Sequence, residues 1–313
     1  MDFRPAYLDL LDSGELDRRV QLAHEHQQQC DLCAWMCHAN RFEGQVGSCR
    51  APREFSVASY FPHLGEEEPI RGWRGSGTVF FSHCNLNCQY CQNHEIAHSA
   101  VGQPTTCERL VSIMLSLQAA GCHNINLVSP SHVVAPIIEA VALAARMGLT
   151  IPLVYNTGGY DSPAALALLD GIIDIYMPDM KYGDSSVAKQ YSKVPHYWES
   201  NQEAVREMHR QVGDLRLDRS GVAQRGLLVR HLVLPDGLAG TNDVMRFLAE
   251  EISRDTYVNI MSQYRPEYRA TAPEFAPLNR RVHSDEVSEA FDIARSYGLY
   301  RFDGLEQLAA LAI

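Results

Sequence analysis

Six short apolar, β-branched runs recur along the chain, at Thr78–Ser82, Asn124–Ser129, Pro152–Asn156, Ile172–Pro178, Leu227–Leu234 and Tyr257–Met261. Each has the length of a strand buried on both faces of a parallel sheet, and helical patterns separate most of them. The first such helix is expected to start at Thr105, with Glu108 completing a capping box, to carry Leu110, Ile113, Met114 and Leu117 on one stripe, and to end at Gly121. The next carries Val134, Ile137, Ile138 and Val141, with Pro136 in its first turn and Gly148 past its end. Thr241 and Ser284 read as N-caps of two later helices.

Repeated βα units make either an open doubly wound sheet or a barrel. No glycine-rich dinucleotide loop follows the first run, so the expected fold is α/β, a partial (βα)6 TIM-like barrel over residues 76–313. Residues 1–75 form a cysteine-rich N-terminal extension. The long connection 182–225 holds a helical stretch at Ala204–Val212 and a hairpin turn at Asp218–Gly221. In barrels chemistry collects where the strands end, so the residues that follow each run are the candidates.

Composition narrows the function. A 46% hydrophobic chain of 313 residues has a sizeable core, and a formal net charge of −11 disfavours a nucleic-acid partner, whose phosphates need a basic surface. Neither a secretory leader nor a membrane-length apolar run is present, which reads as cytoplasmic with no membrane partner. In a reducing compartment nine cysteines are expected as free thiols or metal ligands, and seven fall in two tight groups.

The loop after the first strand reads His83-Cys84-Asn85-Leu86-Asn87-Cys88-Gln89-Tyr90-Cys91-Gln92-Asn93, a C-x3-C-x2-C arrangement. Three thiolates with no fourth nearby leave one position of a bound iron–sulfur cube open, whereas structural zinc wants four closed ligands. The alternative from spacing alone is a zinc knuckle completed by His83 or His94. Cys30, Cys33, Cys37 and Cys49 form a closed C-x2-C-x3-C-x11-C set, compatible with zinc or an iron–sulfur cluster. Cys107 and Cys122 read as inert thiols, Glu66-Glu67-Glu68 as a solvated charge run, and His63, His94, His98, His132 and His231 as satisfied polar residues.

The C-x3-C-x-aromatic-C segment, with Tyr90 before the third cysteine, resembles the signature of the radical S-adenosylmethionine (SAM) superfamily. Arg74–Phe81, Cys91-Gln92-Asn93, His123–Val128 and Leu228–Pro235 look like its PflX-like branch, related to pyruvate formate-lyase activating enzyme. The resemblance implies a [4Fe–4S] cluster on Cys84, Cys88 and Cys91, SAM chelated to its open iron, and Tyr90 beside the adenine. Pro178-Asp179-Met180-Lys181 is similar to the activase D-x-K, which implies that Asp179 and Lys181 hold SAM; Lys181 is one of three lysines in the chain. Asn93, Ser129, Asn156 and Arg230 are the further cofactor-binding candidates.

Three positions depart from the activases: Ser129-Pro130-Ser131-His132 replaces Gly-Gly-Glu, Tyr155-Asn156-Thr157-Gly158 replaces an acid-containing turn, and Gln263-Tyr264 stands where a histidine is expected. The resulting expectation is an enzyme that cleaves SAM reductively and takes hydrogen from a substrate, served by an electron donor such as flavodoxin or ferredoxin. A glycyl-radical activase acting on a protein or peptide, and a non-catalytic iron–sulfur or zinc protein, are the alternatives.

Overall fold

The computed structural model describes residues 3–304. In chain order its elements are α1 (Ala6–Ser13), α2 (Glu15–His26), β1 (Phe55–His63), α3 (Glu68–Arg71), β2 (Ser76–Phe81), α4 (His94–Ala97), β3 (Gln103–Thr105), α5 (Cys107–Ala119), β4 (Ile125–Val128), α6 (Val134–Arg146) and β5 (Leu153–Thr157). They continue with α7 (Pro163–Leu169), β6 (Ile175–Pro178), α8 (Ser185–Tyr191), α9 (Tyr197–Val212), β7 (Arg216–Leu217), β8 (Ala223–Leu232), α10 (Thr241–Phe247), β9 (Tyr257–Met261), α11 (Ser284–Ser296) and β10 (Arg301–Phe302). The last nine residues of the 76–313 stretch lie outside the described ones.

Strands β2, β4, β5, β6, β8 and β9 pair in parallel in that order, and short β10 adds beyond β9. These are the six expected runs, and with their helices they make the partial TIM-like barrel. At the other edge β1 pairs antiparallel with β2, and β3 with β1.

Alternation sorts each strand between two cores. Val79, Leu127, Tyr155, Tyr176, Val229 and Val258 pack outward against the helices, whereas Val154, Ile175, Met177 and Leu228 fill the lumen with Ile70 of α3. The N-terminal segment shares the outer core through Tyr7, Leu16, Ala23 and Leu32. Tyr7 donates to the Ile151 carbonyl, and the Ala6 N–H to Asp174.

Three expected helix starts shift by one residue. Thr105 closes edge strand β3, so Thr106 caps α5 by accepting from the Arg109 N–H at 3.2 Å. Gly240, at φ +63°, turns the chain into α10, and the Thr241 hydroxyl is engaged with His231 Nε2. His283 occupies the cap of α11, with Glu286 accepting from its N–H at 2.7 Å. The Asp218–Gly221 turn joins β7 to β8 as expected, while the helix of this connection runs from Tyr197, longer than its apolar stretch.

Candidate active site

The loop leaving β2 is pinned at several points by the elements around it. His83 turns at φ +71°, and its N–H donates to the Ile96 carbonyl. Asn85 Nδ2 donates to the Tyr160 carbonyl at 2.7 Å, and the N–H groups of Asn87 and Gln89 donate to carbonyls of Ser192 and Tyr191. Trp35, from the N-terminal segment, donates its indole N–H to the Asn85 carbonyl at 2.7 Å. Held in this way, Cys84, Cys88 and Cys91 line a single pocket at the strand ends.

Strand ends supply the opposite wall: Val128 at the end of β4 and Ser129 after it, Asn156 and Thr157 at the end of β5 and Gly158 after it, Asp179 and Lys181 after β6, and Arg230 on β8. Asp179 Oδ2 accepts from Lys181 Nζ at 2.6 Å and Oδ1 from Arg230 Nε at 2.8 Å, while Arg230 Nη2 donates to Asn156 Oδ1 at 2.7 Å. Burial alone raises the Asp179 carboxyl, but the two cations outweigh it and hold the group below its ordinary range. Gly159 makes this wall compact. It sits at φ +73°, where a Cβ would come 2.3 Å from the Asp179 carbonyl oxygen.

Burial pushes the free thiols up, Cys84 to about 11 and Cys91 to about 12, and neighbouring Cys88 adds to both rises. Lys181 opposes the rise at all three cysteines. Ser192 Oγ, at 3.0 Å, donates to Cys88 Sγ. Among the described residues no three Cys, His, Asp or Glu side chains close on a point fit for a single ion. The donor set itself fits an iron–sulfur cluster: three soft thiols on one wall, the half-buried Lys181 cation facing them, and polar groups on the remaining side.

The pocket thus gathers Asn93, Ser129, Asn156, Asp179, Lys181 and Arg230 with the three cysteines. Tyr90 is placed elsewhere: it accepts from the Tyr182 hydroxyl at 2.8 Å and packs edge-on to Tyr264 in an aromatic core behind the loop. Ser129 holds a left-handed backbone, φ +56°, uncommon for a residue with a Cβ. Ser131 and His132, next to it, are braces: Ser131 meets Thr157 Oγ1 at 3.0 Å and His132 Nε2 meets the Ser82 carbonyl at 2.7 Å. His98 and Thr157 also line the pocket, and sequence reasoning did not single them out as ligands.

The Glu66–Glu68 run is not a solvated stretch. Glu67 is only 5% exposed, accepts from Asn259 Nδ2 at 2.9 Å, and faces the lumen because α3 lies across it. A run of like charges gives no sign of burial when its partner is 192 residues away.

All nine cysteines are free. Arg41, 3% exposed, reaches between two of the N-terminal set, donating Nε to Cys30 Sγ at 3.2 Å and Nη2 to Cys49 Sγ at 3.1 Å. Cys37 Sγ stands where a Cβ on Gly47 would be, at 2.3 Å, and Cys33 interacts electrostatically with Cys30, Cys37 and Cys49. Met36, His38 and Arg50 in these loops all have positive φ. The segment docks on the barrel through the Cys33–Asp161 bridge and Trp35.

Comparison with known proteins bears on this geometry. An uncharacterized protein of Methanocaldococcus jannaschii is 28% identical over 301 residues, covering 93% of this chain and 82% of the relative. The structure of HydG, a maturase of the [FeFe]-hydrogenase, aligns at 13% identity and TM-score 0.48 over 69% of this chain; the chain spans 47% of HydG's length. Methylornithine synthase (PylB) aligns at 14% identity and TM-score 0.43, covering 72% of this chain and 70% of PylB. No helix among the described residues is long and apolar enough to cross a membrane. Residues 78–219, which hold the three-cysteine loop, Ser129, Asn156, Asp179 and Lys181, match the model of the Radical SAM superfamily, a family whose members use a [4Fe–4S] cluster and SAM. Residues 78–219 of the chain are therefore similar to the radical SAM superfamily domain.

Proposed function

We propose that this protein is an enzyme that cleaves SAM reductively and takes a hydrogen atom from a substrate held beside the cofactor pocket. The observation that carries the reading is the single pocket in which Cys84, Cys88 and Cys91 face the Asp179–Lys181–Arg230 ion cluster. A cluster held there would supply the electron that reductive cleavage of SAM requires.

The chain's own residues have separate parts in this. Cys84, Cys88 and Cys91 would hold the cluster, and the Lys181 ammonium offsets the negative charge of their thiolates. Asp179 fixes Lys181 and Arg230 in one orientation, and Asn156 fixes Arg230 from its other side. Ser129, Asn156, Asp179 and Lys181, which line the pocket, would bind SAM, and Asn93 lines its loop edge. Cys30, Cys33, Cys37 and Cys49 would hold a second metal group, zinc or iron–sulfur, and the Arg41 guanidinium compensates the charge of thiolate ligands there. The electron donor would be a flavodoxin or ferredoxin.

Anaerobic reconstitution with iron and sulfide, then dithionite and SAM, tests the reading. Formation of 5′-deoxyadenosine supports it; a loaded cluster that yields none sinks it.

A further inference from the structure

A second cavity opens from the cofactor pocket into the barrel lumen. Its volume is about 420 Å³, within the range of small-molecule sites, and it shares Asn93, Val128, Asn156 and Arg230 with the cofactor pocket. Its far wall is formed by His63 of β1, Glu67 at the start of α3, Asn259 of β9, and Gln263. A molecule bound there is a direct neighbour of the cofactor site.

Glu67 is the informative residue. It is 5% exposed, its Oε1 is satisfied by Asn259, and its Oε2 is buried with no hydrogen-bond partner. An unmet carboxylate oxygen inside a protein is costly and marks a place where a donor belongs. The charges around it point to the kind of donor. Glu66 and Asp303 line the same cavity, His63 is committed to Glu66 at 3.0 Å, and Arg230 already gives Nε to Asp179 and Nη2 to Asn156. The cavity therefore presents acceptors and negative charge to whatever enters.

We propose that this cavity is the substrate site, and that it takes a small polar molecule bearing an ammonium or guanidinium group, which donates to Glu67 Oε2. The assignment rests on the radical SAM reading above, because that reading makes the neighbouring pocket the source of reactivity. Burial drives the Glu67 carboxyl above its ordinary range although Arg230 draws it back, and a cation donating to Oε2 favours the carboxylate form.

The test titrates cluster-reconstituted protein, with SAM present and oxygen excluded, with ethanolamine, putrescine and agmatine. Acetate serves as the anionic control and ethylene glycol as the neutral counterpart of ethanolamine, with binding read by saturation-transfer NMR and calorimetry. At least one cation should bind, more tightly than acetate or ethylene glycol. Glu67→Gln should weaken it about tenfold or more, as expected for loss of a charge-assisted hydrogen bond, and Glu67→Asp should weaken it less. Thermal melting and iron content establish that each variant is folded and loaded; the cation, anion and neutral comparison on wild-type protein stands even if Glu67→Gln does not fold. The inference is overturned if no cation binds, if acetate or ethylene glycol binds as well, or if a folded Glu67→Gln binds the cation unchanged. Uncoupled 5′-deoxyadenosine formation by the same wild-type preparation separates the two readings: cleavage without cation binding removes only the substrate site, and no cleavage from a loaded cluster removes the radical reading.

Discussion

Lys181 Nζ lies 2.6 Å from Asp179 Oδ2, with the two side chains only 17% and 10% exposed. Arg230 takes the other oxygen, so one buried anion holds two cations. Replacing Asp179 with Asn leaves both cations without their counter-charge inside the protein, and the expected loss of stability is about 3–5 kcal/mol. Glu251→Gln, which breaks the exposed Arg206–Glu251 pair, should cost about 1 kcal/mol or less. Denaturant unfolding of the two variants side by side measures the contrast, and equal losses would show that the Asp179 cluster is as wet as the surface pair.

The two cysteine groups should load independently. Cys88→Ala is expected to lose the iron of the loop site and its low-temperature electron paramagnetic signal after reduction. Cys33→Ala should lose metal only from the N-terminal set. Elemental analysis of each variant after anaerobic reconstitution reads out both, and simultaneous loss from either single change would contradict two separate sites. The same measurement on wild-type protein identifies the N-terminal metal as zinc or iron.

Asp174 gives a pH signature. It is buried, accepts from the Ala6 and Leu153 N–H groups, and burial raises its pKa to about 7. A carboxyl raised in the folded state stays protonated there at pH values where the unfolded chain has already ionised. Its contribution therefore falls as pH rises from the unfolded value towards about 7 and is flat above that. The stability difference between wild type and Asp174→Asn should drift across this window with a slope of up to about 1.4 kcal/mol per pH unit. A constant difference from pH 4 to 7 would refute the shift.

Gly159→Ala should be costly for its size. The residue needs φ +73°, and a Cβ would meet Asn201 Nδ2 at 2.1 Å as well as the Asp179 carbonyl. Strain of this kind amounts to about 1–3 kcal/mol. Because the collision pushes on Asp179, SAM cleavage should fall together with the melting temperature, whereas Gly148→Ala, with open space at its Cβ, should lower the melting temperature without touching the pocket.

Much of this was legible in the chain. Parallel strands buried on both faces leave a run of apolar residues, so all six inner strands could be found without knowing their partners. The three-cysteine loop was legible because ligand spacing is local. Tyr90 was not: an aromatic one residue before a cysteine reads the same whether it faces the pocket or, as here, Tyr182 and Tyr264 behind it. Glu67 was hidden for the opposite reason, since its neighbours Glu66 and Glu68 are also acidic and its partner Asn259 lies on the last inner strand. The helix starts slipped by one residue because Thr106, Gly240 and His283 hold the cap positions while the hydroxyls of Thr105, Thr241 and Ser284 bond elsewhere, to Gln103, His231 and Asp285.

Helix α3 crosses the side of the barrel between its first and last strands: Ile70 enters the lumen, the Glu68 N–H donates to Asp303, and Asn259 donates to Glu67. The sheet has a seam, and residues from before the matched domain sew it shut. A chain cut to start at residue 76 would keep every cluster cysteine of the loop and still lose the floor of the lumen to water. The region that matches the radical SAM model is therefore not a detachable module, and fusions or truncations designed at that boundary would separate the three-cysteine loop from the wall that gives it an interior.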